Sequence, residues 1–393
     1  MKNIAIFCII ILTLINGCSS NAVKAQSDKT VVGAEQYNLY MDKLHDKNVA
    51  VVANHTSMVN EKHLVDFLVE NGISVSRIFC PEHGFRGKAG DGIVINDDIE
   101  PVSNITIISL YGNHKKPTDS DLKDVDIVVF DLQDVGVRFY TYISTMSYVM
   151  EACADNDIPV IVLDRPNPNA HLIDGPVLNP DYQSFVGLHP VPIVYGMTIG
   201  EYAMMANGEK WLNTKDGNLC NLTVIPIANY THKTYYELPV APSPNLQTMN
   251  AINHYPYLCL FEGTAMSVGR GTSLPFELVG HPKLSVRDTS FTPVPIPNVA
   301  ENPKLSNQLC YGISLENDTT LISELDLQLI IDIYNNSNLG NDFFISYFEK
   351  LAGNGELRQQ IMSGLTPDEI RESWQPQLDE YKKIRSKYLL YKD

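Results

Sequence analysis

Residues 127–142 read Ile127-Val128-Val129-Phe130-Asp131-Leu132-Gln133-Asp134-Val135-Gly136-Val137-Arg138-Phe139-Tyr140-Thr141-Tyr142. The first four are β-branched or aromatic, the composition of a strand buried on both faces. The polar residues begin where such a strand would leave its sheet. In an open, mostly parallel sheet, residues just past the carboxyl ends of the strands line the ligand crevice. The same junction recurs along the chain. Residues 73–79 lead into Pro81-Glu82-His83-Gly84-Phe85-Arg86-Gly87, and 49–52 into Asn54-His55-Thr56. Residues 105–109 lead into Tyr111-Gly112-Asn113, and 160–163 into Asp164-Arg165-Pro166-Asn167-Pro168. Junctions repeated in register predict one shared site on one rim. Taken singly, Asp164 or Thr56 reads equally well as a helix cap.

Between these junctions the pattern is helical, over residues 35–44, 59–71 and 142–155. Thr198-Ile199-Gly200-Glu201 is a capping box that opens a further helix, to about residue 207. Strands alternating with helices predict an α/β fold, a Rossmann-like doubly wound, mostly parallel sheet over residues 31–230. Residues 222–227 would be its sixth strand. Residues 174–195 carry four prolines without periodicity, a long loop of the functional kind. After residue 230 prolines crowd the chain, and helical patterns return over 322–335, 342–351 and 354–363. A last helix follows Thr366-Pro367-Asp368-Glu369, a capping box with proline at the first helical position. Residues 231–393 therefore read as a smaller α+β domain completing the cleft. About 365 residues exceed what one core usually supports, which favours two domains.

The first residues stand apart. Met1-Lys2-Asn3 precedes an apolar stretch and then Ile15-Asn16-Gly17-Cys18, so residues 1–17 read as a secretory signal. Cys18 after Gly17 has the form of a bacterial lipobox, and residues 18–30 form a polar tether. The expected protein is a membrane-anchored lipoprotein facing the periplasm. Net charge is −17, from 29 basic and 46 acidic residues. Nucleic acid is excluded as a partner, because phosphate binding needs a basic footprint. Beyond Cys8 and Cys18, the remaining cysteines (80, 153, 220, 259 and 310) show no CxxC spacing, so neither a zinc site nor a disulfide framework is indicated. No metal or cofactor is expected. Cys80 ends an apolar strand, which suits packing better than nucleophilic chemistry.

Glu82 is the leading candidate for an acid. Flanked by Pro81 and a strand end, its carboxyl should be partly desolvated, which favours the protonated form. For glycoside hydrolysis a second group must meet the oxocarbenium-like centre. Asp131, Asp134 and Glu262 are the candidates. Candidate substrate contacts are Asn54, His83, Arg86, Gln133, Arg138, Tyr140, Tyr142, Asp164, Arg165, Asn167 and Arg270. Tyrosines offer a flat face with a polar tip, although most must simply pack. A metal-dependent hydrolase or amidase using His55, His83, Asp131 and Asp134 fits less well without an HExxH pair. A non-catalytic sugar-binding lipoprotein would use the tyrosines and arginines but not Glu82. The residues alone leave these readings open.

The runs PEHGFRG, DLQDVGVRFYTY and LDRPNP together resemble the bacterial exo-β-N-acetylmuramidases of the NamZ type, glycoside hydrolase family 171. Ala241-Pro242-Ser243-Pro244-Asn245, Phe261-Glu262-Gly263-Thr264, Gly269-Arg270-Gly271-Thr272 and the tail from Ser373-Trp374 to Tyr391 carry the resemblance further. It spans about residues 31–391. It implies removal of terminal N-acetylmuramic acid from the non-reducing ends of peptidoglycan fragments. The lactyl carboxylate of that sugar would need a local cation in so acidic a chain. Arg86, Arg138, Arg165 and Arg270 are the candidates, since a guanidinium meets a carboxylate at two points.

Overall fold

The structure, a computed structural model, describes residues 29–82, 84 and 85, 98–100 and 104–393. The signal sequence, Cys18 and nearly all of the tether lie outside the described residues, as do His83 and Arg86. Seven strands form the main sheet: β1 (Asn48–Ala53), β2 (Ser74–Cys80), β3 (Asp98–Ile99), β4 (Thr106–Ser109), β5 (Ile127–Asp131), β6 (Val160–Leu163) and β7 (Leu222–Ile225). Their order is β7-β6-β5-β1-β2-β4-β3, parallel throughout except for the edge strand β3. The order reverses between β1 and β5, so the fold is the expected doubly wound one, with its topological switch point there.

Alternation along the strands divides the apolar side chains between two faces. Ala50, Val52, Phe79, Val128, Phe130, Val160 and Val162 face one layer, where α2 (Tyr142–Asp155) and α3 (Ile199–Gly208) pack. Val49, Val51, Ile78, Val129, Ile161 and Leu163 face the other, covered by α1 (Leu64–Glu70) and the segment around Tyr40 and Leu44. The helix expected over 35–44 is instead two short 3-10 turns and a single α-turn, Met41–Leu44; Gln36, at φ −89° and ψ 46°, breaks the run. The pattern over 59–71 likewise resolves into a small ribbon, Met58–Val59 with Lys62–His63, followed by α1.

The second half contributes α4 (Met249–Leu258), a three-stranded antiparallel sheet and a run of helices. The sheet is β8 (Leu278–His281), β9 (Thr289–Phe291) and β10 (Cys310–Ser314), with β10 central. The helices are α5 (Leu327–Asn336), α6 (Phe348–Ala352), α7 (Glu356–Met362) and α8 (Pro367–Arg385). One apolar cluster joins both halves, from Phe130 and Tyr140 through Tyr255 and Phe276 to Phe348 and Trp374. α8 then turns back onto the first half: Tyr381 donates its hydroxyl to Tyr195 O at 2.6 Å, and Arg385 Nε bonds Gly196 O at 2.8 Å. Among the described residues no helix is long and apolar enough to cross a membrane. Cys80, Cys153, Cys220, Cys259 and Cys310 are buried and none of the five is in a disulfide.

Candidate active site

The open space on the rim is a cleft of about 840 Å³ between the two halves. From the first half, Glu82 enters it two residues past β2, Tyr111 past β4, and Tyr140 and Tyr142 past β5. From the second half come Glu262, on the 3-10 turn that continues α4, and Arg270. Thr141 Oγ1 lies 3.5 Å from Glu82 Oε2. Asn54 Nδ2 donates to the Tyr142 hydroxyl at 2.8 Å, and the Tyr140 hydroxyl donates to Pro242 O at 2.8 Å, so both rings are fixed. Edge-to-face contacts run from Tyr142 to Tyr140, then Tyr255, then Phe276, whose ring lies under the Arg270 guanidinium at 4.9 Å. This aromatic row is the floor that the halves share.

Glu262 and Arg270 meet at two points, Nε to Oε1 at 2.6 Å and Nη2 to Oε2 at 3.1 Å. Both side chains stay partly exposed to the cleft. Behind them Lys304 Nζ donates to Glu262 O at 3.1 Å and Thr264 O at 2.5 Å. Burial holds the Lys304 ammonium below its ordinary pKa, against the pull of Glu262. The turn carrying Glu262 is thus clamped by two cations, one on its carboxylate and one on its backbone.

The switch point itself is closed, which corrects several sequence expectations. Asp131 takes Arg165 Nε at 2.6 Å and Nη2 at 2.8 Å, and the guanidinium also bonds Met58 O at 2.9 Å; both residues are buried. Asn54 turns its amide to Tyr142 and its oxygen to Thr56, and Gln133 bonds Asp134 O and Pro166 O. Asn167 bridges Met197 O and Asn169 N. Asp164 accepts from Thr198, Gly200 and Tyr391, and burial pushes its carboxyl up to about 7. Asp134 accepts from the Tyr195 hydroxyl and Gly136 N; burial, only partly offset by these bonds, pushes it up to about 6. These polar side chains are buried and bonded to one another or to backbone, as buried polar groups generally are.

Arg138 is the largest departure. It is fully buried, and its guanidinium donates to the carbonyls of Pro176, Val191, Leu351 and Ala352 at 2.7–2.9 Å. Burial lowers its pKa to about 9. Gly353 makes room for it: φ is +78°, and a Cβ there would lie 2.4 Å from Arg138 Nη2. Gly136, at φ +79° against the Asn167 side chain, provides the tight loop that carries residues 139–142 to the cleft. Arg138 therefore ties α6 to the first half instead of meeting a ligand. Among the described residues, Arg270 lines the cleft whereas Arg138 and Arg165 do not.

The cleft also takes Phe185, Ser243, Tyr255 and Tyr347, which were not among the predicted site residues. Ser243 lies in the motif Ala241-Pro242-Ser243-Pro244-Asn245, a signal that was legible. Tyr347 enters beside α6, with no local sequence feature to mark it. Among the described residues, no group of three or more His, Cys, Asp or Glu side chains is placed to hold a metal ion.

Comparison with known proteins gives a consistent result. The description "Exo-beta-N-acetylmuramidase NamZ, N-terminal" matches residues 49–250, and its C-terminal counterpart matches residues 253–391. The peptidoglycan β-N-acetylmuramidase NamZ of Bacillus subtilis (strain 168) is 40% identical over 375 residues, covering 90% of this chain and 89% of that protein. A crystal structure of a DUF1343 family protein from Bacteroides fragilis NCTC 9343 superposes with a TM-score of 0.85 at 45% identity, covering 93% of this chain and 99% of that one. A second protein of that family and strain gives 0.79 at 27% identity, covering 92% and 99%.

Proposed function

Because this chain belongs to the family of NamZ exo-β-N-acetylmuramidases, we propose that it releases terminal β-linked N-acetylmuramic acid from the non-reducing ends of peptidoglycan fragments. The observation that carries this reading is that Glu82 and the Glu262–Arg270 couple line one aromatic-floored cleft. Glu82 donates the proton to the leaving oxygen. Glu262, held by Arg270, faces the developing positive charge, while Asp131 and Asp134 are committed to internal bonds. Tyr140 and Tyr142 present ring surface to the sugar. Arg270, the described arginine that lines the cleft, is the candidate partner of the lactyl carboxylate through the guanidinium edge that Glu262 leaves open.

The test compares aryl β-N-acetylmuraminide with aryl β-N-acetylglucosaminide for the wild type and Arg270→Lys. The wild type should prefer the muraminide. Arg270→Lys should lose about 10–100-fold of that preference, the worth of a charged hydrogen bond of ~1.5–3 kcal/mol. Equal cleavage of both sugars by the wild type would make it a general hexosaminidase. We further propose that Cys18 carries lipid and anchors the enzyme on the periplasmic side of a membrane, supported by Gly17-Cys18 after an apolar leader. Two or more acyl chains suffice for stable anchoring. Cys18→Ser should abolish lipid labelling and move the protein to the soluble fraction.

A further inference from the structure

Positive φ is uncommon outside glycine, and among the described residues most of the others that adopt it are Asn or Asp, which tolerate it. Phe276 is the aromatic exception, at φ +60°. Nothing in its own chemistry favours a left-handed backbone, since a Cβ there crowds the following carbonyl oxygen. Its surroundings impose it. Phe276 N donates to Val268 O at 2.8 Å and closes the loop 268–276 at its base, while Thr248 and Asn250 hold the carboxylate of the next residue, Glu277. The ring is buried, lines the cleft, and returns beneath Arg270, which the same loop carries. Backbone strain persists where packing over-determines it, and it gathers at functional sites.

The guanidinium is restrained in two ways. Glu262 takes Nε and Nη2, in the plane of the group. That contact alone leaves the plane free to tilt about the shared edge, because both side chains are long and partly exposed to the cleft. The Phe276 ring, its centroid 4.9 Å from the guanidinium carbon, covers one face and opposes the tilt. The ring is itself fixed, edge-to-face on Tyr255 at 4.8 Å, and Tyr255 meets Phe139 and Tyr140 of the first half. We propose that Phe276 is a positioning residue for specificity: through this stack it sets the plane of Arg270, and with it the preference for a muraminide. The inference rests on the reading above, in which Arg270 meets the lactyl carboxylate. A guanidinium bonds a carboxylate at two points within its own plane, so a tilted group loses one of the two bonds.

The experiment uses the full chain and reads one ratio, kcat/KM for an aryl β-N-acetylmuraminide over that for the aryl β-N-acetylglucosaminide. Phe276→Leu keeps apolar bulk and removes the aromatic face; the ratio should fall by about fivefold or more, the scale of a cation–π contact partly shielded from water. Phe276→Tyr keeps the face and should recover most of that loss. In an Arg270→Gln background, Phe276→Leu should change the ratio by less than about twofold, since a residue that acts through another is not additive with it. A general packing role would lower both rates together, leave the ratio unchanged and do so in either background; that result would overturn the inference. So would a ratio for Phe276→Tyr as low as that for Phe276→Leu. Urea unfolding checks the fold of each variant, and Phe276→Met, closer to Phe in length, replaces Phe276→Leu if the latter does not fold. Should the wild type show no muraminide preference, or Arg270→Gln leave it intact, the reading of Arg270 itself fails, and the inference with it.

Discussion

Glu82 and Asp134 show how far residue chemistry can be read before burial is known. Both are carboxylates at the polar end of a strand junction, yet Glu82 reaches the cleft while Asp134 lies beneath Tyr195. Removing the acid should therefore be expensive at one position. Glu82→Gln keeps shape and loses the proton, so turnover of the natural disaccharide should drop about 10²–10⁴-fold. An aryl glycoside with a good leaving group should be affected less, because it needs little protonation. Steady-state kinetics on the two substrates check this, and undiminished cleavage of the disaccharide would remove Glu82 from the acid role. Tyr140, Tyr142, Glu262 and Arg270 were likewise legible as cleft residues. Asn54, Gln133, Asp131, Asp164, Arg165 and Asn167 carry the same chemistry but spend it internally. A polar run past a strand looks alike in both cases.

Elements were more legible than side-chain roles. α2 spans the residues that its apolar periodicity marks, and both capping boxes are present with reciprocal bonds. The two caps differ in what else they hold. Thr366 is exposed and serves only the start of α8. Thr198 is buried; it accepts from Glu201 N at 3.3 Å and donates to Asp164 at 2.7 Å. Thr366→Ala should cost about 1 kcal/mol, a lost cap. Thr198→Ala should cost about 2–3 kcal/mol, a cap plus a bond to a buried carboxyl, and Thr198→Ser should recover most of it. Urea unfolding of the three variants reads the order. Equal losses at Thr198 and Thr366 would mean that Asp164 finds another donor.

At the scale of the whole molecule, the tail locks the first half. The Tyr391 hydroxyl donates to Asp164 at 2.6 Å and accepts from Ile227 N at 2.8 Å, while Glu201 accepts from Leu390 N and Tyr391 N. His232 bridges Glu201 and Asp393, and Arg385 pairs with Asp393. Burial raises Asp164 to about 7 from an ordinary value near 3.8. With the folded value the higher one, this group's contribution is most favourable below pH 4 and is lost as pH rises through 7. Tyr391→Phe removes a donor that steadies the ionised form. Its destabilisation should be about 1 kcal/mol at pH 5 and reach ~2–3 kcal/mol at pH 8. Unfolding measured at both pH values decides it, and a loss independent of pH would show that Asp164 stays protonated throughout.

Local pattern was enough to set the six parallel strands, the principal helices of the first half, their alternation and hence the doubly wound sheet, because β-branched runs and capping residues act within a few positions of themselves. The partners of the polar residues depend on segments brought together from far away. Arg138 meets Leu351 across 213 residues, and Asp164 meets Tyr391 across 227. Whether a guanidinium is a ligand contact or a tie between elements depends on which carbonyls surround it once water is gone. Chain topology closed the β1–β5 switch point with its own side chains and opened the cleft beside it, towards β2 and β4. Only the packed molecule could decide that, since burial and pairing are properties of the assembled surfaces and not of any one stretch of chain.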